Sequence, residues 1–190
     1  MQSVAAVRKS LFIVGSIVAL ACSQPAPQVS ETELSQAQST LAPFKEQLVE
    51  ALTGALEQGS PTNAIHVCRE RAPEIAAELS VGGVRMGRTS HKLRNPGNAP
   101  EPWVEPLLEA YLENPTDTRP RAVYIDDSTI GYVEPIYVMS FCLSCHGPSI
   151  EPDLLAEIDS VYREDQATGF RANELRGLFW VTLPRSAQGS

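Results

Sequence analysis

Residues 142–146 read Cys-Leu-Ser-Cys-His, and Gly147 follows. Cys-x-x-Cys-His is the attachment sequence of c-type haem, and it constrains the fold more than any other feature of the chain. Two thiols two residues apart can each add to one vinyl group of the macrocycle. The next residue is then held under the iron, where an imidazole nitrogen can ligate it. Whatever fold forms must hold that group against this short segment. The competing readings are a zinc half-site and a Cys-x-x-Cys redox pair. The chain has four cysteines and three histidines. Zinc would want a second close pair of ligands, and none is present. One covalent haem c on Cys142 and Cys145, with His146 as an axial ligand of the iron, is the expected cofactor.

The start of the chain agrees. Arg8 and Lys9 precede an apolar run from Leu11 to Leu20, of signal-peptide length and too short to span a bilayer comfortably. Residues 1–21 therefore read as an export signal. Haem is attached to c-type proteins outside the cytoplasm, so a periplasmic location fits both features. Ala19-Leu20-Ala21-Cys22 resembles a lipoprotein cleavage site, with Cys22 lipidated as the first mature residue. An ordinary signal peptidase could also use Ala19 and Ala21. Residues 22–33 open with Cys-Ser-Gln-Pro-Ala-Pro-Gln and read as a tether. A lipid on Cys22 would hold the domain at a membrane surface without spanning it.

Charge narrows the partners. Loss of Arg8 and Lys9 takes the formal net charge from −8 to −10. An acidic chain without a basic stripe argues against nucleic acid. Residues 34–187 are enough for one domain with a hydrophobic core. Leu34, Ala37, Leu41, Phe44, Leu48, Leu52, Ala55 and Leu56 give a helix over 34–58. Gly59 stops it, and Ser60-Pro61 starts a second helix running to about Leu79. Val84–Thr89 predicts a strand and Trp103–Glu113 a third helix. Two strands follow, Ala122–Ile125 and Ile130–Val138, around an Asp126-Asp127 turn. After the haem motif come a helix over 152–164 and a last strand, Leu175–Leu183. Two leading helices before an antiparallel sheet make an α+β layout.

The second axial position is open on the residues alone. Cys68, His66, His91, Met86, Met139 or no residue could take it. Cys68 sits on the apolar face of the second helix, and a thiolate is a strong iron ligand. It could equally be a small buried core residue. His66 lies two positions from Cys68 on the same helix, so both cannot face one iron.

Four segments resemble a family of exported mono-haem c proteins with a PAS-like fold. They are Ala64-Ile65-His66-Val67-Cys68 with Ala72-Pro73-Glu74-Ile75-Ala76; Gly87-Arg88-Thr89-Ser90-His91-Lys92-Leu93-Arg94-Asn95-Pro96-Gly97-Asn98-Ala99-Pro100; Pro135-Ile136 leading to the Cys142–Gly147 motif; and Gly169-Phe170 with Leu175-Arg176-Gly177-Leu178-Phe179-Trp180-Val181. The resemblance implies a PAS-like antiparallel sheet with long N-terminal helices. It also implies a six-coordinate haem, with the motif histidine on one side and a cysteine thiolate, here Cys68, on the other. His91 departs from the family's Arg-Thr-Ser-Leu-Lys pattern; it reads either as an alternative ligand or as an exposed or hydrogen-bonded substitution. Arg88 and Arg94 are candidates for haem propionates, because guanidinium forks suit carboxylates.

A His/thiolate pair stabilises ferric iron, so the expected potential is low. The expected function is one-electron transfer to an unidentified redox protein. The alternative is a haem-based redox or gas sensor, with CO, NO or O2 as ligands, acting through a signalling partner. With no kinase, cyclase or receptor segment expected after the domain, a sensor would need a separate protein to report to. A peroxidase-like enzyme would need an open distal site, which a thiolate ligand opposes.

Overall fold

The computed structural model describes residues 28–58 and 61–185. Cys22, the expected signal segment, Gly59 and Ser60 lie outside them. The elements are α1 (Glu31–Gln58), α2 (Pro61–Leu79), β1 (Arg85–Thr89), α3 (Glu105–Glu113), β2 (Arg121–Tyr124), β3 (Thr129–Tyr137), α4 (Leu143–His146), α5 (Pro152–Val161) and β4 (Leu175–Pro184). The fold is α+β, with a four-stranded antiparallel sheet in the order β1-β4-β3-β2. β4 is inserted between the first strand and the β2–β3 hairpin. The haem motif and α5 therefore lie in the long connection from β3 to β4.

Both faces of the sheet are covered, which period-2 alternation makes possible. On one face Ala37, Leu41, Phe44 and Leu48 of α1, with Ala72 and Ile75 of α2, pack on Ile130, Tyr132, Val181 and Leu183. On the other, Val104, Leu108 and Tyr111 at α3 pack on Val133, Leu175 and Leu178. Each such large apolar side chain removed from water contributes about 1.5–3 kcal/mol before the cost of ordering it. Smaller clusters hold the connection. Ile65 of α2 meets Leu154, Ile158 and Tyr162 of the α5 region. Val138, Ala167 and Phe170 pack beside Cys142 and Leu143.

The first helix begins at Glu31, before the apolar stripe opens at Leu34 and inside the segment expected to be tether. A capping box explains it. The Glu33 carboxylate accepts from the Ser30 backbone N–H at 2.9 Å, and the Glu33 N–H donates to Ser30 Oγ at 3.3 Å. Tyr124 of β2 also donates to Glu33, at 2.9 Å. This end of the helix is thus fastened to the sheet. The α5 helix stops at Val161, short of the expected 164, because Tyr162 leaves helical geometry and buries its ring. Of the described residues, no helix is long and apolar enough to cross a membrane.

Candidate haem cleft

The cleft lies on the α1/α2 face of the sheet, where both helices run past the ends of β1, β3 and β4. Its space, mouth included, is about 1450 Å³. Leu48, Leu52 and Leu56 of α1 and Ala64, Ile65 and Cys68 of α2 form one wall. Cys142, Cys145 and His146 form another, with Arg88, Arg94 and Arg176 among the remaining lining residues. Cysteine 68 and the motif, far apart in sequence, therefore face one space. None of Cys68, Cys142 and Cys145 forms a disulfide among the described residues. Burial pushes the Cys145 thiol up.

The motif is a 3-10 turn, Ser140–Cys142, running into α4. Residues 165–174 run back beside it. The Phe170 N–H donates to the His146 carbonyl at 2.9 Å, and the Gly169 N–H to that of Gly147 at 3.0 Å. His146 Nδ1 lies 2.7 Å from the Ala167 carbonyl oxygen. A carbonyl only accepts, so Nδ1 carries the proton and Nε2 keeps its lone pair. Burial, then the charges of Arg176 and Arg94, holds the imidazole's pKa down at about 3. The ring is neutral and ready to ligate a metal.

Arg94 locks this arrangement. Its Nη2 donates to the Cys145 carbonyl, to Asp165 Oδ2 at 3.0 Å and to the Ala167 carbonyl at 3.4 Å. Its buried Nε has no hydrogen-bond partner among the described residues. Asp165 Oδ1 accepts from the Ala167 N–H at 2.8 Å, fixing the carbonyl that holds His146. In the Arg-Thr-Ser segment, Arg88 donates to the Cys68 carbonyl at 3.3 Å. Thr89 Oγ1 donates to the Asn98 carbonyl at 2.7 Å, and Ser90 Oγ to that of Arg176 at 2.6 Å.

The other candidates fall elsewhere. Met86 is core, 5% exposed. His66 is paired with Glu157 of α5 at 2.8 Å and does not line the cleft. His91 does not line it either; its ring meets the edge of Phe170 at 5.7 Å between centroids. His91 is exposed, and partial desolvation, then the charges of Lys92 and Arg176, lowers its pKa. Met139 sits exposed at the rim.

Arg176 was missed as a candidate. Strand alternation would face it toward α3 with Leu178 and Trp180. Ile136 pairs with Gly177 but Tyr137 pairs with Leu175, so Arg176 is the extra residue of a β-bulge. The bulge turns it into the cleft. Gly177 is required there, because a Cβ would collide with the Thr89 carbonyl oxygen. Arg176 is the one charged residue of this strand, and that was the available signal.

Residues 18–184 match the Tll0287-like family. The chain belongs to that family. It is also similar to the crystal structure of the cyanobacterial haem protein Tll0287, with a TM-score of 0.60 and 27% identity. That match covers 85% of this chain and 100% of the other. Comparison with curated proteins finds no match. The family assignment agrees with the resemblance carried by the four segments.

Proposed function

We propose that the chain is an exported haem c protein that transfers single electrons at low potential. The observation that carries the reading is the shared cleft, which gathers Cys142, Cys145, His146 and Cys68 around one apolar space. The similar solved protein is a haem protein, and its likeness extends over most of this chain.

The residues fit such a group on their own chemistry. The thiols of Cys142 and Cys145 can each add across one vinyl group, giving two thioethers. His146 presents an unprotonated Nε2, and Cys68 brings its sulfur to the space from the α2 wall. Leu48, Leu52, Leu56, Ile65 and Phe179 line the space with apolar side chains that would pack on a flat apolar macrocycle. Arg94 Nε, buried without a partner among the described residues, is a donor that a haem carboxylate would satisfy. A haem held here would supply a one-electron iron couple, and a His/thiolate pair would keep its potential low. Lipidation at Cys22 would place the domain at a membrane surface.

A second reading, a haem-based sensor of redox state or of CO, NO or O2, is favoured by one feature. A further hollow, lined by Ala72, Ala76, Met86, Gly87 and Gly97, meets the main cleft at Cys68, Arg88, Asn95 and Asn98. It offers room beside Cys68 for a displaced side chain or an incoming ligand.

The deciding measurement is the optical spectrum of mature protein expressed with a c-haem maturation system. A Soret band is expected; its absence sinks the reading. A reduced spectrum indifferent to CO supports the electron carrier. A clear CO-induced shift supports the sensor. Cys68→Ser should change the ferric spectrum, and an unchanged one removes Cys68 as a ligand.

A further inference from the structure

We infer that Arg176 anchors a carboxylate of the bound haem, and that its charge raises the reduction potential above what the axial pair alone would set. The inference rests on the haem reading above and deepens it to a residue that the sequence did not single out.

Charge balance is the starting point. Three guanidiniums, Arg88, Arg94 and Arg176, line the cleft. Asp165, whose side chain is 5% exposed, pairs with Arg94 at 3.0 Å. Neither Arg88 nor Arg176 has a carboxylate within salt-bridge distance among the described residues. Arg88 donates to the Cys68 carbonyl at 3.3 Å, and Arg176 Nη1 to that of Lys92 at 3.2 Å. Two positive charges thus stand unbalanced at an apolar space, where leaving a charge unpaired is costly. Haem carries two propionates, and the counts match.

Of the two, Arg176 is the more constrained. Burial, with Arg88 and Arg94 nearby, pulls its guanidinium down to about 10. Its guanidinium carbon lies 5.2 Å from the centroid of Phe170, which also packs edge-on against His146 at 6.3 Å. Ser90 Oγ grips the Arg176 carbonyl, and the bulge aims the side chain. Bulges re-aim side chains in this way beside functional sites. A planar fork can bind a carboxylate through two parallel N–H bonds. Its positive charge favours the reduced, less positive iron.

The test is a redox titration of the haem-loaded protein and its variants, with resonance Raman spectra of the propionate bending band. A unit charge acting over about 10 Å at an effective dielectric of about 20 changes an equilibrium roughly tenfold. Arg176→Gln should therefore move the ferric/ferrous balance about tenfold toward ferric, or about 59 mV for one electron. Arg176→Lys keeps the charge and should stay within about twofold, while its propionate band shifts because the fork is gone. Arg119→Gln, on the exposed α3–β2 connection, is the equal-charge control and should leave both unchanged. A Gln shift no larger than the control's overturns the inference. Should the Gln variant fail to fold, an unmoved propionate band in the Lys variant overturns it equally. Wild-type protein with no Soret band would instead defeat the haem reading itself.

Discussion

Two clusters of arginine and aspartate stand at different places in this fold, and they are balanced differently. Near α3, Asp117 accepts from Arg119 Nε at 2.8 Å, from Arg119 Nη2 at 3.0 Å and from Arg121 Nη2 at 3.1 Å. These bonds, led by those from Arg119, hold its carboxyl well below the usual carboxylate range. Arg119 is 82% exposed, so water takes up the surplus charge. Arg121 lies over the Tyr111 ring at 4.4 Å. In the cleft, only Arg94 of the three guanidiniums has a carboxylate partner among the described residues, and the lining is largely aliphatic and aromatic. The residue types are the same, but only the cleft is left needing an anion. A satisfied ion cluster fixes a loop; an unsatisfied one in an apolar space marks a ligand site.

The largest expected effect comes from breaking the one balanced pair inside the cleft. Arg94→Leu removes the hydrogen-bonded counter-charge of buried Asp165 and leaves only the more distant Arg176 to offset it, which costs about 3 kcal/mol. It also frees the Cys145 and Ala167 carbonyls, so His146 loses its orientation. Urea unfolding of the haem-free protein measures the first effect. A loss below about 1 kcal/mol would mean that Asp165 reaches water and that the contrast between the clusters is false. Asp117→Asn should cost less, because Arg119 is in solvent and the amide oxygen still accepts some of its hydrogen bonds. The loss should be the same with and without haem. A haem-dependent loss would tie the α3 end to the cleft and collapse the comparison.

How much of this was legible depends on how local each feature is. The motif, the α2 face bearing Cys68 and the Arg-Thr-Ser segment could be read because their chemistry lies in spacing along a few residues. The early start of α1 was also written in the sequence, as Ser30-x-x-Glu33, but it lies ahead of the apolar stripe that defined the helix. The aim of Arg176 was not legible. It depends on the register of β4 against β3, and one extra residue in the ladder reverses which face a side chain takes. Arg94 was picked as a propionate candidate on type alone. Its pairing with Asp165 depends on a loop some seventy positions away folding back beside the motif. His91 stood out in the sequence as a departure from pattern. The structure sets it against Phe170, outside the cleft lining.

The smallest effect tests a second satisfied carboxylate, one that titrates in an accessible range. Ser30 Oγ and N–H, then Tyr124, donate to Glu33, and Arg185 lies 3.5 Å away. The Ser30 bonds lead in lowering its pKa from 4.5 to about 2. A carboxyl lowered on folding stabilises the native state fully above its unfolded pKa and loses that contribution as pH falls through the folded one. The stabilisation from Glu33 should therefore be complete above about pH 4.5 and fade toward pH 2. Glu33→Gln should cost about 1 kcal/mol near pH 7, since the amide oxygen still accepts one cap bond. The difference from wild type should shrink as the pH approaches 2, followed by urea unfolding at several pH values. A gap that holds constant down to pH 2 would assign the cost to packing of the α1 start on β2. In that case Glu33 would not belong with Asp117 among the charge-satisfied sites, and the contrast with the cleft would rest on Asp117 alone.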